Sequence, residues 1–179
     1  MNAALHATKI SRDETSSRAR AVWLSATVAA LTILLAIITA PLASAFGYTS
    51  FASSIYKTFS FVCHQIPERS FHLTGNKFAV CSRCTGLYSG FAIAVLAYPL
   101  ARSLKKTATP SIVWLILAAL PLAIDFSLGY FNVWSNTHAS RFSTGALFSA
   151  ATVFYVLPGL IEIAGKLAKR ETAKVASVR

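Results

Sequence analysis

Three cysteines occur in the chain, and all fall in one stretch: Cys63-His64, then Cys81-Ser82-Arg83-Cys84. The C-x-x-C spacing lets two thiols converge on one point, as a metal ion or a disulfide requires. Cys63-His64 adds a third sulfur and an imidazole, and His72 offers a second imidazole between the halves. Cys63, Cys81 and Cys84 with His64, or with His72 as second choice, form a Cys₃His set suited to zinc. Four protein ligands would close the site; three cysteines and a water would leave a position open for chemistry. Two other readings compete. A redox pair is one, because Cys84 stands at an expected helix start beside Arg83, where a thiolate is stabilised, with Cys63 free to attack or resolve. The other is a plain structural disulfide with one spare thiol in an oxidising compartment. Pro67, Gly75 and Asn76 allow the chain to turn back between the two halves.

A second set of residues sits at the same depth. Asp125 lies inside an otherwise apolar run, and an ionisable group there marks a functional position and calls for a partner. At 1.5 Å per residue, Asp125 lies roughly 7–8 Å below the end of its span. Arg83 and Arg141 open neighbouring spans at that boundary, and either guanidinium could reach the carboxylate; a purely structural ion pair is the plain alternative. In a catalytic site, zinc would polarise a substrate or activate water, with Asp125 or His64 handling the proton. Arg83 and Arg141 would grip an anionic headgroup or carboxylate.

The elements that must hold these residues are membrane helices. Of 179 residues, 55% are hydrophobic and 13% charged, about half the charge of a soluble domain. That excludes an unassisted globule in water and a disordered chain. Four segments have the length and apolarity to cross a bilayer: residues 21–45, 84–101, 111–130 and 142–164. The net charge of +11 points to topology rather than nucleic acid, because the basic residues cluster beside apolar runs. Residues 1–20, the link that begins at Arg102 and the tail at 165–179 hold twelve Lys and Arg, against five on the other side. By the positive-inside rule both termini are cytoplasmic, and the cysteine loop at 46–84 faces outward from the cell membrane. The expected fold is therefore an all-α, four-helix membrane bundle, N-in and C-in, with the bilayer as its constant partner. Arg18, Arg20 and the stretch Pro41-Leu42-Ala43-Ser44-Ala45 resemble a secretory signal, but the apolar run exceeds the usual length and reads as a retained span. Residues 47–54 read as a connector, and Ile55, Phe59, Phe61 and Val62 as part of a short helix on the membrane surface. Gly86 and Gly90, with Gly145 and Ser149, suggest close helix packing. Pro121 and Pro158 read as kinks, and Glu162 with Lys166 as an i,i+4 pair.

The run Cys63-His64-Gln65-Ile66-Pro67-Glu68-Arg69-Ser70-Phe71, followed by Cys81 through Gly90, resembles a family of small prokaryotic membrane proteins classed only as a domain of unknown function. Its signature reads CHQ-x-P-x-RSF, then C-x-RC-x-G-x-Y-x-G. The likeness extends to Leu120-Pro121, Asp125, Ser135-Asn136, Arg141 and Thr144-Gly145. Phe126 stands where the family tends to have glycine. The resemblance implies that the cysteines, arginines and aspartate form one functional unit. The layout is also similar to the four-helix, quinone-linked membrane proteins that make disulfides, including the vitamin K epoxide reductases. That similarity implies a thiol–disulfide oxidoreductase passing electrons to a quinone, although the second cysteine pair of those proteins is missing here. A third class is a small transporter or lipid carrier gated by Asp125 and Arg141.

Overall fold

The computed structural model describes residues 2–177, with side chains described for 16–168 and 170. Five helices appear among them: α1 Asn2–Ala45, α2 Thr49–Ser60, α3 Ser82–Ala101, α4 Ile112–Tyr130 and α5 His138–Ser177. Four have the length and apolarity of membrane spans, over Ser16–Ala45, Ser82–Ala101, Ile112–Tyr130 and His138–Ala168. The all-helical expectation therefore holds for the bundle. The connecting stretch adds a turn of 3₁₀ helix at Pro67–Arg69 and a small antiparallel hairpin, β1 His72–Leu73 with β2 Asn76–Lys77. Thr74 and Gly75 form its tip at φ +52° and +79°, the mirror-image turn that suits a two-residue hairpin loop.

Residues 47–54 are not all connector, as α2 already begins at Thr49. Small polar residues there look like linker in sequence, yet Ala52 and Phe59 give α2 a buried face, and burial decides the matter. Phe59 packs with Ile37 and Ala40 of α1, Cys63, Ala79 and Val80, in a cluster that forms the floor under the cysteines. A second cluster, toward the other end of the bundle, joins Ala19 and Ala30 of α1 to Val95 and Tyr98 of α3 and Val153 and Leu157 of α5.

Helices α3 and α5 make the most extensive contact in the fold, and glycine is the reason. A Cβ on Gly86 would collide with the carbonyl oxygen of Phe142, and one on Gly90 with that of Ala146. From the other side, a Cβ on Gly145 would lie 2.6 Å from the Arg83 carbonyl oxygen. Backbones this close gain dispersion contact and let Ser149 donate its hydroxyl hydrogen bond to the Leu87 carbonyl. Helix α4, by contrast, buries none of its residues within the protein. It is fixed by α5 along its length, by an ion pair near one end, and by the Tyr155 hydroxyl donating to the Ser111 carbonyl at the other (2.7 Å).

Two prolines create docking points. Proline has no N–H, so the carbonyl four residues earlier loses its helical donor. Pro99 frees the carbonyl of Val95, and the Trp23 indole N–H of α1 donates to it at 2.7 Å. Pro41 likewise frees the carbonyl of Ile37, and the amide of Ala79, two residues before Cys81, donates to it at 3.4 Å. Each missing helical bond is replaced by a tertiary one.

Candidate metal centre and arginine pocket

The cysteines reach one point from two elements. Cys63 follows α2, where its amide donates to the Phe59 carbonyl at 2.9 Å. Cys81 is the residue capping the start of α3, and Cys84 lies in its first turn. Their three Sγ atoms all lie within 4.8 Å of one another, and none is in a disulfide. Cys63 is buried and its sulfur accepts two backbone N–H bonds, from Cys81 at 3.2 Å and from Gln65 at 3.5 Å. These bonds fix the position of the sulfur. The Cys81 thiol is held well below its ordinary value, first by hydrogen bonds with Cys63 and Cys84 and further by the amides of Cys84 and Arg83, against burial.

Gln65 adopts an unusual backbone to serve Cys63. Its φ is +52°, a left-handed conformation that non-glycine residues rarely take without cause. A ring of hydrogen bonds holds it there. Its side-chain amide donates to the Tyr56 carbonyl (2.6 Å), the Tyr56 hydroxyl donates to the Lys77 carbonyl (2.5 Å), and the Lys77 ammonium donates to the Gln65 carbonyl (2.6 Å).

No imidazole joins the sulfurs. Among the described residues the group comprises the three cysteines alone. His64 is exposed and borders the adjoining cavity, while His72 is exposed on β1 of the hairpin. A zinc ion about 2.3 Å from each sulfur sets three sulfurs about 3.8 Å apart, which the observed cluster can meet. The three sulfurs could therefore hold a metal ion together.

The sulfurs adjoin a cavity of about 390 Å³. The sulfurs form one side, and Arg69, Arg83, Arg141 and Asn136 supply the polar wall. Arg83 donates to the Asp125 carboxylate at 2.5 Å, with side chains 21% and 10% exposed. Its guanidinium also lies 5.4 Å from the Phe126 ring centre, a favourable cation–π contact. Of the two arginines able to reach Asp125, Arg83 makes the pair. Asp125 itself stands behind Arg83 and is not part of the cavity wall. Asn136 donates to the Asp125 backbone carbonyl, tying the start of α5 to α4. Around the same end, the Ser82 hydroxyl bonds His138 Nδ1 at 2.7 Å, and Phe71 packs on His138 and Phe142.

Arg69 and Asn136 are wall residues that the sequence had marked only as parts of a motif. The Arg-Ser-Phe run was the available signal, since Ser70 is fully buried and Phe71 pins the loop to α5, which leaves Arg69 turned to the cavity.

Residues 63–155 match the family described as "Predicted membrane protein (DUF2085)". The chain belongs to this family. It is 33% identical over 146 residues to an uncharacterised protein of Methanocaldococcus jannaschii, covering 79% of this chain and 94% of that one. An uncharacterised protein of Methanothermobacter thermautotrophicus is 38% identical over 87 residues, covering 49% of this chain and 77% of its own. No solved structure matches the chain. The family match begins at Cys63 and ends at Tyr155, so it spans every residue of the sulfur cluster and the arginine wall.

Proposed function

We propose that Cys63, Cys81 and Cys84 hold a zinc ion at the outward face of the cell membrane, next to a pocket in which the protein acts on an anionic or lipid substrate. The observation that carries this reading is the convergence of three sulfurs without an imidazole, beside a cavity lined by arginines. Bound there, zinc would supply Lewis acidity at its open position. The chain's own residues do the rest. Backbone amides of Gln65 and Cys81 hold the Cys63 sulfur in place. Asp125 fixes the Arg83 guanidinium, and Arg141 completes an electropositive wall. His64, exposed at the cavity edge, is placed to exchange a proton with solvent. Both termini are cytoplasmic in this reading, on the strength of the basic residues flanking the spans. Metal analysis of the purified protein tests it: about one zinc per chain is expected, lost in Cys81→Ser, and equal zinc in both proteins ends the proposal.

The closeness of the Cys81 and Cys84 sulfurs, with hydrogen bonds that favour the Cys81 thiolate, supports a second reading, a thiol–disulfide oxidoreductase coupled to a membrane quinone. It requires a Cys81–Cys84 disulfide that cycles with reductant and a protein free of zinc. Alkylation of all three thiols without prior reduction, in a zinc-free protein, would remove it.

A further inference from the structure

The arginine pocket is built against local electrostatic preference. The start of a helix carries partial positive charge and favours acidic residues. Helices α3 and α5 both begin at the cavity, and neither has an acidic residue in its first turn. Each instead places an arginine there, Arg83 and Arg141, and Arg69 of the loop adds a third guanidinium. Arg69 and Arg83 are near enough to act on Arg141 as like charges, with Asp125 and Cys81 opposing them. Three guanidiniums thus face one carboxylate, which Arg83 already engages. Three polar atoms beside the cavity are also buried without a partner: Arg83 Nε, Arg141 Nε and Asn136 Oδ1. Buried N–H groups left unmade are costly, so two guanidinium edges and an arginine-rich wall await an acceptor of hydrogen bonds that carries negative charge.

The cavity also has an apolar edge. Val62, Phe126 and Tyr130 line it and remain 63%, 54% and 70% exposed. Phe126 and Tyr130 stack with centroids 6.0 Å apart on α4, on a face of that helix left exposed by the rest of the protein. The cavity therefore joins a cationic interior to a surface continuous with lipid.

Resting on the reading of this cavity as the working face of the protein, we propose that its substrate is a phosphate ester. The phosphate accepts hydrogen bonds from Arg141, Arg83 and Arg69, and an alkyl chain leaves along Phe126 and Tyr130. Phosphate suits the site because its terminal oxygens and its charge exceed those of one carboxylate, and so match several guanidiniums better.

Calorimetric titration of the protein in a neutral detergent tests this, with octyl phosphate, inorganic phosphate, octanoate and octanol as probes. Octyl phosphate should bind one to one and octanol not at all. Arg141→Gln and Arg69→Gln should each weaken octyl phosphate about tenfold or more, as for a lost hydrogen bond between charged groups. Arg69 is exposed, so its variant folds even if Arg141→Gln does not. Inorganic phosphate binding as tightly as octyl phosphate would keep the phosphate and overturn the alkyl wall. Octanoate matching octyl phosphate, or both arginine variants binding like wild type, would overturn the proposal. Zinc measured on the same samples separates the two readings. Equal zinc in wild type and Cys81→Ser ends the metal centre alone, whereas failed phosphate discrimination in zinc-bearing protein ends the phosphate inference alone.

Discussion

Asp125→Asn removes one charge and almost no volume, so it isolates the ion pair that ties α4 to the start of α3. The contact is 2.5 Å between Arg83 Nη2 and Asp125 Oδ2. With charge centres about 4 Å apart and an effective dielectric of about 20, the attraction is roughly 4 kcal/mol before desolvation. Removing one member of a fully buried pair costs about 3–5 kcal/mol, because the other charge is stranded. Arg83 keeps 21% of its side chain exposed, which lowers the expected loss to about 2–3 kcal/mol. The neighbouring Arg141 keeps it from falling further, since Arg83 loses its counter-charge while a like charge stays close. For a chain of this size the apparent Tm should fall by about 4–12 °C, read by thermal unfolding in detergent. Arg83→Gln should show a similar loss, and the double variant should lose much less than the sum. A shift under about 1 °C, or losses that simply add, would mean that the pair contributes little and that α4 is held by its contact with α5.

Other variants probe separate parts of the fold. Trp23→Phe leaves the Val95 carbonyl without a donor in a buried place, and unfolding measurements should show a loss of about 1–3 kcal/mol. Gly86→Ala drives a methyl group into the Phe142 carbonyl; an overpacking cost of about 1–3 kcal/mol is expected, and an unchanged Tm would refute the tight α3–α5 contact. Gln65→Gly keeps both the positive φ and the amide donated to Cys63, whereas Gln65→Pro abolishes both. Zinc retention against a chelator should survive the first and fall in the second.

The sequence displayed the spans well because apolar length is a direct physical requirement of the bilayer. The cysteine triad was equally legible, since C-x-x-C at a helix start constrains where two sulfurs can go. The separation of His64 from the three sulfurs was not. Adjacency of His64 to Cys63 says nothing of side-chain direction, and the left-handed turn at Gln65 commits its amide to the buried sulfur while the His64 side chain remains exposed. Depth along α4 correctly brought Asp125 to the level of the arginines, but choosing Arg83 over Arg141 needed the packing of α3 on α5 at Gly86 and Gly145. The start of α2 was hidden because Thr49 to Ser54 are linker-like in composition, and only Ala52 against its neighbours reveals the helix.

Pro41 ties the sulfur site to the first helix. The floor beneath the sulfurs takes Ile37 and Ala40 from α1, and the segment leading to Cys81 hooks onto the carbonyl that the proline leaves bare. Cys63 and the C-x-x-C pair therefore rest on one shared support, and a change at Pro41 bears on all three thiols at once.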